Sequence, residues 1–349
     1  MTESAPKLET ESLTYPHATG PDPGRTVAVA DGVYWLRMPL PFSLEFINLY
    51  LLDDGDGWTL IDTGLGDQKT LALWSESQHM LQGKPIHRVL VTHLHPDHVG
   101  CAGWLCDHFD APLLMSRGEY FQCAILLGDT GRPAPKEALK FYRRAGFDQE
   151  ALDRYQKRFG TFGNFVEQLP RSYTRLKADD RLTMAGREWR VVVGSGHSPE
   201  HVCLWCEDDG LFISGDQILP RISSNVSVWP IEPEANPLGE WLDSCARLRD
   251  LLPGNTLVLP SHNRPFVGAG LRLSQLIDEH TSRLDKLLEL CSQPQRAVDV
   301  FPVLFKRPIG AGDYIMATGE SLAHLHWLWL DGKLSIDDDA DGVRYFTTS

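Results

Sequence analysis

Short apolar runs separated by turn signals begin near Val27. VYWLRM (33–38), FINLYLLD (46–53) and WTLID (58–62) are spaced by PLPFSLE and Asp54-Gly55-Asp56-Gly57, and predict antiparallel strands joined by hairpins. Residues 67–82 place Leu71, Trp74 and Leu81 broadly on one side and predict a helix. IHRVLVT (86–92) predicts a buried strand that empties into a cluster of histidines, with a helix from Val99 to about His108 behind it.

A second block starts near Asp180, with strands expected at EWRVVVG (188–194), HVCLWCE (201–207), LFISGD (211–216) and TLVLP (256–260). Two β-rich blocks, each feeding helices, predict an α/β protein with sheet packed on sheet and helices outside. Residues 118–180 carry helical patterning broken by Gly and Pro, and read as an insertion. Residues 269–349 predict helix, helix, helix and a hairpin around an acidic turn, a separate C-terminal domain after a domain spanning 26–268. Residues 1–25, rich in Ser, Thr, Pro, Glu and Gly, read as a mobile arm.

Composition narrows the classes. The 349 residues, 42% hydrophobic and 23% charged, suit about two globular domains and exclude wholesale disorder. The formal charge of −14 disfavours nucleic acid, so no DNA partner is expected. No basic-then-apolar leader opens the chain and no run approaches ~18 apolar residues, so no membrane partner is expected. Seven scattered cysteines fit a reducing compartment better than a disulfide frame, which points to the cytoplasm.

The chemistry is concentrated at strand ends. Thr92-His93-Leu94-His95-Pro96-Asp97-His98 carries four metal-capable side chains within residues 93–98. Extended alternation sends His93 and His95 to one side, and the turn at Pro96 presents Asp97 and His98 as a second group, so each group can grip one cation. Further candidates end three later strands: His197 and His201 in Gly196-His197-Ser198-Pro199-Glu200-His201, Asp216 after LFISG, and His262 after LVLPS.

This set resembles the metallo-β-lactamase superfamily, whose pattern is HxHxDH followed by His, Asp and His at later strand ends, over about residues 27–268. The likeness is to its glyoxalase II-like and lactonase-like branch. It implies an αββα sandwich with His93, His95 and His197 on one metal, Asp97, His98 and His262 on the other, and Asp216 bridging. Asp62, in the Asp-Thr-Gly element 62–64, is implied to orient a ligand histidine, and Asp97 to hold the nucleophile as well as ligate. The residues agree: imidazoles and carboxylates without thiolate suit two divalent ions, zinc first, with Mn, Fe or Co also accepted. Such a pair bridges a water, lowers its pKa toward neutrality and polarises the electrophile. Within the superfamily, Asp216 argues against antibiotic hydrolysis and His95 against the flavodiiron branch. The expected function is hydrolysis of a small ester, thioester or lactone. The alternative is a phosphodiesterase or endoribonuclease of the same superfamily.

Other features are weaker. His201 reads as a supporting hydrogen-bonding group, and Cys203 and Cys206 point to opposite faces of one strand rather than to a shared metal. His17, His79, His87, His108, His280, His324 and His326 read as surface or core. Residues 117–181 hold 13 basic against 9 acidic residues, interleaved with Tyr120, Phe121, Phe141, Tyr142, Phe147, Tyr155, Phe159 and Phe162. One reading is a lid for an anionic substrate with an apolar acyl part, such as an acyl group on coenzyme A; the other is a solvated helix pair at the sheet edge. The C-terminal domain resembles a winged helix, but its acidic wing (Asp337, Asp338, Asp339, Asp341) would face phosphates with the wrong sign. It is expected beside the active-site mouth or in a homodimer interface.

Overall fold

The computed structural model describes residues 12–41 and 44–349. The first half forms a seven-stranded sheet of β1 (Thr26–Ala30), β2 (Val33–Pro39), β3 (Phe46–Asp53), β4 (Trp58–Ile61), β5 (Ile86–Leu90), β6 (Leu113–Ser116) and β7 (Thr174–Leu176), neighbours in that order. The strands from β1 to β4 are antiparallel hairpins, as the turn signals predict, and those from β4 to β7 run parallel. The second sheet holds six strands, β8 (Arg181–Met184), β9 (Arg187–Gly194), β10 (His201–Cys206), β11 (Leu211–Gly215), β12 (Leu257–Pro260) and β13 (Phe266–Val267).

Period-two alternation builds the layers. On β3, Tyr50 and Leu52 enter the core between the sheets, where they join Trp35, Ile61 and Leu90 and face Trp189, Val191, Val202, Leu204 and Ile213. The alternate residues Leu49 and Leu51 face outward against α1 (Gln68–Ser75), α3 (Ala102–Phe109) and α4 (Arg117–Gly128), through Trp74, Leu105 and Cys123. Because both faces of β3 are covered, it reads as a nearly continuous apolar run. Likewise Cys203 lies in the outer core of the second sheet and Cys206 between the sheets, as their spacing requires. All seven cysteines are buried free thiols.

Two expected helices are interrupted. The helix expected over 67–82 stops at Ser75, and the chain turns back through left-handed Gln82 (φ 52°) and Gly83 (φ 73°). The helix expected over 99–108 splits into α2 (Pro96–Val99) and α3 at Gly100. A Cβ on Gly100 would lie 2.3 Å from Gly66 N and 2.6 Å from Gly64 O, so the Asp-Thr-Gly loop packs backbone to backbone on the histidine segment. Gly100→Ala is therefore expected to cost stability at the upper end of the ~1–3 kcal/mol range for overpacking, measured by urea unfolding.

The helices of 118–180, expected as an insertion, divide between two cores. Helix α4 and strand β7 belong to the first half, whereas α5 (Lys136–Arg144) and α6 (Gln149–Arg158) stand on the C-terminal region. Their aromatics are interior: Phe141, Tyr142, Phe147 and Tyr155 are buried in one core with Leu322, Leu325 and Phe346. Arg144 pairs with Asp338 at 2.8 Å and Arg158 donates to Gly312 O at 2.7 Å. The basic helices thus meet the acidic C-terminal region, and these buried rings are not a face held open for a substrate.

The second sheet is covered by α7 (Pro237–Leu251) and α8 (Ala269–Leu290), followed by α9 (Phe301–Leu304), α10 (Tyr314–Leu330) and a hairpin of β14 (Leu334–Asp338) and β15 (Arg344–Thr348). The order matches the expected helix, helix, helix, hairpin, but packing does not break at residue 268. Leu273 and Leu276 of α8 share a core with Trp241 of α7 and Phe212 of β11. The expected N-terminal arm is described only from residue 12, and there it is held. Thr14 pairs with Val267 at the sheet edge, and Arg264 donates to Ala18 O at 2.7 Å and lies over the Tyr15 ring.

Candidate metal centre

Strand ends from both sheets converge on one edge of the sandwich. His93 to His98 follow β5, His197 lies between β9 and β10, Asp216 follows β11, and His262 follows β12. His93, His95, His197 and Asp216 form one group whose donor atoms lie within 4.8 Å of one another, and Asp97, His98 and His262 form another. Asp216 lies between them, its carboxylate 3.5 Å from His197 Nε2, 3.6 Å from His98 Nε2 and 3.5 Å from His262 Nε2. Asp97 is 3.4 Å from His262 Nε2 and, with a side chain 18% exposed, lies toward the open side.

The outer nitrogen of each ring fixes where its lone pair points. His98 Nδ1 donates to Asp62 at 2.8 Å, His197 Nδ1 to Asn225 O at 2.7 Å and His262 Nδ1 to Phe46 O at 3.1 Å, so each Nε2 faces inward and is an acceptor whenever its ring is neutral. Thr92 Oγ1 donates to Asp62 and accepts from His93 Nδ1 at 3.0 Å, which turns His93 Nε2 inward as well. His93 Nε2 then stands 3.2 Å from His197 Nε2, two lone pairs facing one another. Among the described residues, His98 Nε2 and Asp216 Oδ1 are buried with no hydrogen-bond partner. Inward acceptors without donors are what a bound cation satisfies. The donor set fits divalent metal.

Asp62 grips the histidine loop through Thr92 N (2.7 Å), Thr92 Oγ1 and His98. It adopts φ 59°, a left-handed conformation that aspartate tolerates better than most residues. His201 is buried, stacks on His93 at 4.6 Å and accepts from Asp216 N at 3.1 Å.

The electrostatics divide the groups. Burial, reinforced by neighbouring imidazoles, holds His93 well below its ordinary pKa, and burial with His197 beside it brings His95 down to about 3. Burial alone would lower His98 too, but Asp216, Asp62 and Asp97 outweigh it and hold this ring well above its ordinary value. His262 is raised against burial by Asp216 and Asp97. Burial disfavours ionised Asp97 and Asp216, yet the adjacent His98 and His262 keep both carboxylates below their usual range.

Several supporting residues escape the motif reading. Glu119 on α4 is fully buried and accepts from Leu94 N (3.0 Å), Ser198 Oγ (2.6 Å) and Glu200 N (2.8 Å), tying the His95 loop to the His197 loop. Burial pushes its pKa up to about 7 against the pull of those donors. Asn48 on β3 donates to Pro260 O and Asn263 O, both at 2.8 Å, and clasps the loop bearing His262. A lone amide inside FINLYLLD was a legible signal for Asn48; nothing local marks Glu119.

Comparison with known proteins fits this geometry. Residues 43–262 match the family model described as metallo-beta-lactamase superfamily, and residues 284–349 one described as metallo-beta-lactamase-like, C-terminal domain. A probable metallo-hydrolase of Bacillus subtilis, YqjP, is 25% identical over 91% of this chain and 98% of its own length. The human acyl-coenzyme A thioesterase MBLAC2 is 22% identical over 73% of this chain and 86% of its own. The crystal structure of a beta-lactamase domain protein from Burkholderia ambifaria superposes with a TM-score of 0.89 at 42% identity, covering 97% of this chain and 98% of that one.

Proposed function

The chain belongs to the metallo-beta-lactamase superfamily and is a metal-dependent hydrolase, and we propose that it cleaves a small thioester, ester or lactone at a two-metal centre. The observation that carries this reading is the convergence of partnerless acceptors, His98 Nε2 and Asp216 Oδ1 foremost, between two histidine groups. His93, His95 and His197 would hold one ion, Asp97, His98 and His262 the second, with Asp216 between them. Zinc suits these nitrogen and oxygen donors, and manganese, iron or cobalt would also be accepted. When bound, the ions supply an acidified water and electrophilic stabilisation of the developing oxyanion.

The chain's own residues supply position. Asp97, on the open side, accepts a hydrogen bond from the attacking water and keeps its lone pair turned toward the acyl carbon. Asp62 and the carbonyls of Asn225 and Phe46 hold three imidazoles in the tautomer that leaves Nε2 free. The thioester class is favoured because MBLAC2, named as an acyl-coenzyme A thioesterase, aligns over most of both chains.

Proton release on a panel of acyl-CoA thioesters, glutathione thioesters, lactones, simple esters and short RNA tests the reading. Wild type should turn over one acyl class and Asp97→Ala should not; cleavage of RNA alone would support the phosphodiesterase alternative instead. The pKa pattern adds a second expectation. His98 and His262, raised by their carboxylates, must shed protons before they can bind metal, whereas His93 and His95 are already neutral. As pH falls, the ion at Asp97, His98 and His262 should therefore leave first. Metal analysis after dialysis at stepped pH should show a plateau near one equivalent, and simultaneous loss of both ions would contradict it.

A further inference from the structure

The segment between Asp216 and α7 connects the centre to the C-terminal helices. Asn225 O accepts from His197 Nδ1 at 2.7 Å, and Ser224 Oγ donates to Asp216 O. This segment has no regular structure of its own across 223–228, and its bonds lead to α8 and α10. Asn225 Nδ2 donates to Glu320 Oε2 at 3.0 Å, while Asn225 Oδ1 accepts from Ser227 Oγ at 2.6 Å. Val228 N donates to Gly319 O at 3.1 Å, and Ser223 Oγ meets His280 Nε2 at 3.2 Å. A Cβ on Gly319 would fall 2.7 Å from the Ser227 side chain, so the helix presents glycine where the segment docks.

We propose that the C-terminal helices clamp this segment, and that Glu320 of α10, acting through Asn225, is a positioning residue that aims His197 at the metal. The proposal rests on the reading of His197 as a ligand. A backbone carbonyl orients a ring only as well as the carbonyl itself is held, and Asn225 is gripped at both atoms of its side-chain amide. Glu320 is fixed in turn: its side chain is 15% exposed, and the Arg283 guanidinium lies 3.8 Å away. The helix backbone is pinned as well, since His324 Nδ1 donates to Glu320 O at 2.8 Å. Without Glu320, Asn225 keeps only Ser227, the segment gains freedom, and His197 loses a fixed aim. Supporting partners of this kind are worth about 10–100-fold in metal affinity. The C-terminal region would then be part of the metal site's support rather than a nucleic-acid module.

The test is metal affinity by chelator competition, together with the visible spectrum of the cobalt-loaded protein, for wild type, Glu320→Gln, Glu320→Ala and Asn225→Ala. Gln retains an oxygen for Asn225 Nδ2, so Glu320→Gln should stay within about threefold of wild type. Glu320→Ala should lose about 10–100-fold in affinity and show an altered cobalt spectrum. Asn225→Ala keeps its backbone carbonyl but not the grip, and should behave like Glu320→Ala; it carries the test if Glu320→Ala does not fold. Wild-type affinity and spectrum in the folded alanine variants would overturn the proposal, as would equal losses in the Gln and Ala variants of Glu320. Failure of wild type to bind metal would instead refute the ligand reading beneath it.

Discussion

Asp216→Ala is expected to give a folded protein whose turnover has fallen on the order of 10³-fold and which retains fewer than two metal equivalents. The argument is local. Among the described residues, its carboxylate is the one anion within 3.6 Å of imidazole nitrogens from both groups, and its Oδ1 has no hydrogen-bond partner. Removing it leaves Asp97 as the one carboxylate among the proposed ligands to balance two cations. The backbone contacts survive, since Asp216 N still donates to His201 and its carbonyl still accepts from Ser224. In the metal-free state Asp216 is also the counter-charge of the raised His98 and His262, so deleting it leaves buried imidazoles unpaired and thermal stability without metal should fall. Turnover by Asp216→Ala near the wild-type rate would remove Asp216 from the centre.

Glu119→Ala is expected to have the second-largest effect, on stability first and activity through it. Three donors, Leu94 N, Ser198 Oγ and Glu200 N, converge on this buried carboxylate. Leaving them unsatisfied costs roughly 1–3 kcal/mol for each that water cannot reach, so a loss of about 3 kcal/mol or more is expected in urea unfolding. The same bonds join the loops carrying His95 and His197, and metal retention should fall with them. Glu119→Gln separates the two roles. Its single oxygen can still serve Ser198 and Glu200, but its amide meets Leu94 N donor to donor, so an intermediate loss is expected. Wild-type stability in Glu119→Ala would mean that other groups or water satisfy those donors.

The legible parts of the molecule were those written in local pattern. FINLYLLD became β3 with the bounds its apolar run predicts, and the hairpin signals placed the antiparallel strands. His93, His95, Asp97, His98, His197, Asp216 and His262 could be singled out because each sits at the end of an apolar run, where a polar cluster has no role in the core. The helix break at Gly100 was not legible, because its cause is the backbone of Gly64 and Gly66, distant in sequence. Glu119, Asn225 and Glu320 carry no local signal for the same reason: the hydrogen bonds that link them to the site region span 25 or more residues.

The basic, aromatic helices left two readings open for a related reason. Their pattern of Phe, Tyr, Lys and Arg fits a substrate-facing cover and a solvated helix pair at the sheet edge equally well, and the contact with the C-terminal region shows only in the packing. The Phe147 ring lies tilted against Tyr314 at 5.0 Å and Arg144 pairs with Asp338, so charge and aromatic surface are used inside the chain. Asp338 also takes Arg344 at 3.0 Å, which gives one carboxylate of the acidic hairpin a structural role.

The most direct test of the account is to strip the protein of metal, add zinc in steps, and follow bound zinc and acyl-CoA thioester hydrolysis together. The account predicts no turnover in the metal-free protein and a rise that saturates near two equivalents. Full turnover without metal, or saturation at a single equivalent, would contradict it.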